Sequence, residues 1–196
     1  GLEIALGTAC SGYGATTATL KGGLGSASVK TSSGFTVGAV VAVNAVGTAT
    51  IGDGPHFWAA PYEHGREFGG LGLPKEISEI DLRPRLKGSA QRANTVIGCI
   101  ATDAALTKAE CKRVALAAHD GLARAIRPAH TPMDGDTLFA AATGFKPLEK
   151  GVMDLTELGI AAADVLARAI ARGVYEAKAL PFAGVPPVWK DRFSTR

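Results

Sequence analysis

Asn94-Thr95-Val96-Ile97-Gly98-Cys99-Ile100-Ala101-Thr102-Asp103, followed closely by Thr107-Lys108-Ala109-Glu110, is the stretch on which the fold turns. Residues 95–103 are short, apolar and rich in β-branched side chains, and read as a buried strand. Thr107 and Glu110 then form a capping box: the Thr107 hydroxyl accepts from the third helical amide, and Glu110 reaches back to the Thr107 amide. Cys111, Val114, Ala115, Ala118, Leu122, Ala125 and Ile126 recur mostly at three- and four-residue spacing, so one helix face is apolar. Pro128 ends that helix.

The same pattern extends in both directions. Upstream, residues 26–30 and 35–44 read as two strands around a Thr31-Ser32-Ser33-Gly34 turn, the second nearly all apolar and hence buried. Downstream, the loop His130-Thr131-Pro132-Met133-Asp134-Gly135-Asp136 leads into an apolar run over residues 137–143, read as a strand. A second helix is expected from about residue 155 to 178, its alanines at 161, 162, 163, 167, 169 and 171 suiting close packing on a sheet. Residues 52–90 lack periodicity and hold Pro55, Pro61, Pro74 and Pro84 with exposed-looking Phe57, Trp58, Tyr62 and Phe68, which predicts a long excursion with a short helix. The tail from Leu180, with Pro181, Pro186 and Pro187, reads as extended and surface-lying, its apolar Phe182, Val185, Val188 and Trp189 suited to packing against a neighbour. Buried strands followed by one-sided helices predict a single domain over residues 1–196, an α+β sandwich with helices covering sheet faces.

Composition excludes several classes of function. With 46% hydrophobic and 20% charged residues among 196, the chain has a sizeable core and is not disordered. A net charge of +3, scattered and without a basic stripe, argues against nucleic acid as a partner. Cys10, Cys99 and Cys111 make no CxxC pair, which fits small buried thiols in a reducing compartment and no zinc. The longest apolar run, residues 35–46, is too short to span a bilayer, and no signal peptide is visible at the start, so a cytoplasmic protein with no membrane partner is expected. The chain opens on Gly1, which suggests a processed product or a fragment.

Thr95 has two readings. A hydroxyl residue at the edge of a buried strand is ordinary. If the Asn94–Thr95 bond breaks, however, Thr95 owns both a hydroxyl and an α-amine that titrates at about 7.7–8.0 and serves as the general base a threonine otherwise lacks. Asn44 ends an apolar strand, where its amide either donates to a developing oxyanion or is satisfied by a nearby turn. Asp134-Gly135-Asp136 places two carboxylates on one side of an extended segment, able to orient a hydroxyl or ammonium group or simply to form a solvated turn. The further oxygens of an EF-hand-like loop are missing, so no metal is expected there. Gly22-Gly23-Leu24-Gly25 lacks the phosphate-loop pattern, and Lys21 before it is either solvated or aimed at the site. His56, His64, His119 and His130 show no metal-ligand spacing. Trp58 and Tyr62 line a substrate mouth or cap the core.

Five segments in order resemble one family: Leu20-Lys21-Gly22-Gly23-Leu24-Gly25-Ser26-Ala27-Ser28; Val41-Ala42-Val43-Asn44-Ala45-Val46-Gly47; Asn94-Thr95-Val96-Ile97; Ala101-Thr102-Asp103-Ala104 with Leu106-Thr107-Lys108; and Asp134-Gly135-Asp136-Thr137-Leu138-Phe139-Ala140. Together they look like the L-aminopeptidase/D-esterase family of self-processing N-terminal-nucleophile hydrolases, which includes β-peptidyl aminopeptidases and nylon-oligomer hydrolases. The resemblance implies a layered αββα-type sandwich that is incomplete without an upstream segment, since family members carry a long stretch before the position of Gly7. It implies self-cleavage between Asn94 and Thr95 into residues 1–94 and 95–196, with Thr95 as nucleophile. Asn44 corresponds to the oxyanion-side asparagine, Asp134 and Asp136 to the pair that holds and activates the nucleophile, and Lys21 to an active-site lysine. The implied activity is amide hydrolysis of short peptides, amino-acid amides or ω-amino-acid oligoamides, without cofactor, by a homo-oligomer that includes the upstream segment on the same or a separate chain. The alternatives are an acyltransferase of the ornithine acetyltransferase type and a non-catalytic subunit, which would need none of these side chains.

Overall fold

The computed structural model describes residues 4–88 and 94–193, so the last two residues of the expected excursion and Gly1 lie outside it. The run after Asn94 is a strand, and with its neighbours it makes β1 (Gly23–Lys30), β2 (Thr36–Asn44), β3 (Thr95–Ala104) and β4 (Thr137–Lys146). These form a four-stranded sheet in the order β1-β2-β3-β4. The first two pairings are antiparallel and β3–β4 is parallel, so the chain must cross over between them. That crossover carries α1 (Lys108–Ala125). Its capping box is present, with the Glu110 amide donating to Thr107 Oγ1 at 3.3 Å and the Thr107 amide to Glu110 Oε2 at 2.7 Å.

α2 (Val152–Tyr175) starts and ends three residues ahead of the expected span. Just ahead of its N-cap Gly151, the Lys150 amide donates to Asp154 Oδ2 at 2.8 Å, which ties the incoming chain to the first turn. α2 lies across β1 and β2, while α1 packs beside it and against β4. The helical layer thus covers one face of the sheet, where Val37, Val41, Val43, Val96 and Ile100 are buried.

The opposite face is open. Val40 is 37% exposed, Ile97 52% and Phe139 59%. β2 was expected to be buried throughout, but its burial alternates, because among the described residues helices cover only one of its faces. The described residues therefore supply one helical layer and one sheet, an α+β arrangement matching half of an αββα sandwich.

Other expectations need correction. Phe57 and Phe68 are buried: their rings meet edge to face at 5.4 Å, and Trp189 stacks on Phe57 at 5.8 Å. Trp189 belongs to α3 (Trp189–Phe193), and with Val188 it is buried within its own chain. Phe182 remains exposed. None of the cysteines is buried: Cys10 is exposed, and Cys99 and Cys111 are half-buried. Among its described residues, the excursion after β2 contains one short helical element, the 3₁₀ turn Ala60–Tyr62. It is tied down by a buried ion pair, Arg168 Nε to Glu67 Oε1 at 2.5 Å and Nη2 to Oε2 at 3.0 Å.

α2 approaches β1 so closely that side chains are excluded at the crossing. A Cβ on Gly25 would lie 1.8 Å from the Ala169 carbonyl oxygen, a backbone atom that cannot step aside. Gly25→Ala is therefore expected to cost about 2–3 kcal/mol and to lower Tm by roughly 5–10 °C, read by thermal unfolding.

Candidate active site

Residues paired across a sheet share a face, and the β2–β3 register pairs Asn44 with Thr95. Counting in twos along each strand, both side chains fall on the open face, with Ala42, Val40, Ile97 and Cys99. The strand ends that resemblance links are thus neighbours in space.

The Asn44 amide oxygen accepts from the Thr16 backbone N–H at 3.1 Å and from Lys87 Nζ at 2.9 Å. These two donors identify the oxygen end of the amide, and its NH₂ is the donor end. Lys87 is 8% exposed, and its own N–H donates to the Val46 carbonyl at 2.9 Å. Burial pushes its ammonium down to about 8, against the pull of Asp134. Sequence reading missed Lys87, which sits in the aperiodic excursion with no pattern to mark it.

Lys21, assigned to the site by resemblance, is fully buried. Its ammonium donates to the carbonyls of Gly12, Ala15 and Gly22 at 2.8, 2.6 and 2.9 Å, which engages all three of its protons on the backbone of its own loop. Burial pushes it down to about 8. This loop carries Thr16, so Lys21 braces the segment that holds Asn44.

On the other side of Thr95, the Asp134–Asp136 loop runs beside the strand entrance, where Asn94 and Asp134 form a parallel bridge. Asp134 Oδ1 accepts from the Val46 N–H at 3.1 Å, and Oδ2 accepts from the Thr131 N–H and hydroxyl at 3.2 and 2.9 Å. Asp136 Oδ1 accepts from the Val96 N–H at 3.0 Å, and Oδ2 from the His130 N–H at 3.2 Å. Between them Gly135 donates its N–H to the Asn94 carbonyl oxygen at 2.9 Å, and Thr95 Oγ1 donates to that same oxygen at 2.5 Å. A Cβ on Gly135 would lie 2.8 Å from Thr95 Oγ1, so the glycine leaves the hydroxyl its place.

The hydroxyl therefore lies against the carbonyl that precedes it, and a backbone donor already polarises that carbonyl. Two carboxylates and a buried ammonium complete the surroundings. Among the described residues no group of three or more His, Cys, Asp or Glu side chains converges as a metal site. Trp58 and Tyr62 lie under Arg127 and Arg124, whose guanidinium carbons are 5.7 and 5.1 Å from the ring centroids. No helix among the described residues is long and apolar enough to cross a membrane.

Comparison with known proteins follows the same lines. The model of peptidase family S58 matches residues 2–184. An uncharacterized aminopeptidase of Mycobacterium tuberculosis is 45% identical over 205 residues, covering 98% of this chain and 58% of that protein. A 6-aminohexanoate-oligomer endohydrolase of Kocuria sp. is 43% identical over 53 residues, covering 27% of this chain and 15% of that protein. The chain thus spans little more than half the length of the mycobacterial relative. The L-aminopeptidase D-Ala-esterase/amidase from Ochrobactrum anthropi, a variant of the Ntn hydrolase fold, superposes with a TM-score of 0.65 at 20% identity over 96% of this chain and 51% of that one. That likeness is one of fold.

The caged lysine has a measurable consequence. Lys21 titrates near 8 when folded and near 10.5 when unfolded, so between these values the unfolded chain binds more protons and stability rises with pH. Lys21→Met removes part of that rise, Lys87 supplying the rest. At neutral pH it costs about 2–3 kcal/mol, because buried carbonyls lose a charged donor. Denaturant melts of both proteins at about pH 7 and about pH 9.5 check the sign and the size.

Proposed function

This chain belongs to peptidase family S58, and from that premise we propose that it is the nucleophile-bearing part of an amide hydrolase that cuts itself between Asn94 and Thr95. The observation that carries the reading is the double contact on the Asn94 carbonyl oxygen, from the Gly135 N–H at 2.9 Å and the Thr95 hydroxyl at 2.5 Å. In maturation Thr95 Oγ1 attacks the Asn94 carbonyl carbon while the Gly135 N–H stabilises the charge that develops on the oxygen. The carbon–nitrogen bond breaks and the proton passes to the leaving nitrogen, giving an ester on Oγ1 and a free Thr95 amine. Water then hydrolyses the ester, leaving a carboxylate on Asn94.

In turnover the Thr95 amine takes the hydroxyl proton, Oγ1 attacks a substrate amide, and the amine product departs with a proton. The acyl ester on Thr95 is hydrolysed by water. Asn44, across the strand pair from Thr95, donates its NH₂ to the substrate oxyanion, with Thr16 and Lys87 holding the amide's orientation. Asp136 and Asp134, bonded to the amides of Val96 and Val46, supply negative charge beside the amine as it becomes an ammonium. Lys21 acts one step back, bracing the Thr16 loop. Short peptides, amino-acid amides and ω-amino-acid oligoamides are the substrate class, in keeping with the aminopeptidase and oligomer hydrolase names of the relatives.

Mass spectrometry and N-terminal sequencing of the purified protein test the maturation step, with a fragment beginning Thr-Val-Ile-Gly expected. Thr95→Ala gives a single uncut chain without amidase activity, whereas an uncut wild-type chain, or activity that survives Thr95→Ala, sinks the reading. Asn44→Ala lowers turnover by about 10²–10³-fold, the usual loss for one oxyanion donor. Gly135→Ala displaces the Thr95 hydroxyl and slows cleavage and turnover together by at least about tenfold.

A further inference from the structure

Asp136 is a buried carboxylate of the site, its side chain only 3% exposed, and one of its oxygens meets a histidine that has no part in the mechanism above. His130 approaches Asp136 Oδ2 twice, with its ring Nδ1 at 3.1 Å and its backbone N–H at 3.2 Å. Behind it, His119 of α1 brings its Nδ1 to 3.3 Å from His130 Nε2, with ring centroids 4.9 Å apart. Resting on the hydrolase reading, we propose that His130, backed by His119, is a positioning residue that fixes the Asp136 carboxylate at the head of β3 for the reaction at Thr95.

Three observations support this. First, both oxygens of the carboxylate are engaged: Oδ1 accepts from the Val96 N–H and Oδ2 from the His130 backbone N–H, with the His130 ring nitrogen at ion-pair distance from the same oxygen. Without the imidazole, Oδ2 keeps one neutral donor and the carboxylate is free to turn from Val96. Second, a ring nitrogen facing a carboxylate carries its proton, so His130 Nδ1 is the N–H end. His130 Nε2 then shares one proton with His119 Nδ1, and a chain Asp136–His130–His119 leads from the buried carboxylate to the surface. Third, His130 holds φ = +55°, a left-handed conformation that few non-glycine residues adopt, and its backbone N–H and its ring both lie against one oxygen of Asp136.

Burial, and then the neighbouring His130, push His119 below its ordinary value, against the opposing pull of Asp136 and Asp120. Arg127, in the same connection, lies over the Trp58 ring, and Asp134 is engaged by Thr131. A pairing of this kind acts on Thr95 only through Asp136, and its loss is expected to leave the fold standing.

His130→Gly is the informative variant, because glycine suits the positive φ and the ring's place, 40% exposed, is open to solutes. In the protein that otherwise cuts itself and hydrolyses amides, His130→Gly slows both reactions by about tenfold or more, and added imidazole restores part of the loss. His119→Gln, which keeps a donor for His130 Nε2, retains the wild-type rate, whereas His119→Leu lowers it. A folded His130→Gly protein with the wild-type rate overturns the proposal, and so does a loss that imidazole leaves untouched. Either of these occurs in an active wild-type background and leaves the hydrolase reading intact, whereas an inactive, uncut wild-type protein overturns that reading and this inference with it.

Discussion

The antiparallel register between β2 and β3 is the constraint on which the rest of the molecule depends. Side chains alternate along a strand, so a slip of one residue would turn Val37, Val41 and Val43 away from the helices and bring Gly38, Val40, Ala42 and the amide of Asn44 in. The same slip would take Asn44 out of line with Thr95. Burial of the valines and alignment of the site are therefore one event. At the far end of the pair, Asp103 fixes the same register, accepting from the Thr36 N–H at 2.8 Å and pairing with Lys146 Nζ at 2.8 Å.

Around this strand pair, buried charge positions segments that have no regular structure of their own. Lys21 gathers three carbonyls of one loop, and Lys87 bonds the Asn44 amide from the end of the excursion. Arg168 clamps Glu67 from the middle of α2 and also donates to the Ser28 carbonyl at 3.0 Å. Each buried cation incurs a desolvation cost, which is offset only when its protons all find acceptors. Where that condition holds, a loop acquires a single conformation without forming a helix or strand. Lys21 holds the loop ahead of Asn44 in this way, whereas the loop carrying Asp134 and Asp136 is held by the backbone N–H groups of Val46, Thr131, Val96 and His130 that its carboxylates accept.

Much of the scaffold was legible in the residues. Thr107 and Glu110 announced α1, and the β-branched run after Asn94 announced β3, because both signals arise within a few residues of chain. Phe57 and Phe68 were misread as exposed, since an aromatic in an aperiodic segment carries no sign of what covers it. The rings that cover Phe57, those of Tyr175 and Trp189, lie more than a hundred residues away. Lys87 escaped for the same reason, and nothing in the residues announced that Lys21 gathers the carbonyls of Gly12, Ala15 and Gly22.

By itself, then, the sequence determined the strand and helix signals, the absence of a metal-ligand pattern and the family likeness of the Asn94-Thr95, Asn44 and Asp134-Gly135-Asp136 segments. These are local properties, set by side-chain shape, capping chemistry and spacing. Only the tertiary structure decided that Asn44 faces Thr95, that the Gly135 amide rests on the Asn94 carbonyl, and which lysine meets the site. Those facts depend on strand register and on where buried charges find acceptors, and both are settled by contacts between residues far apart in the chain.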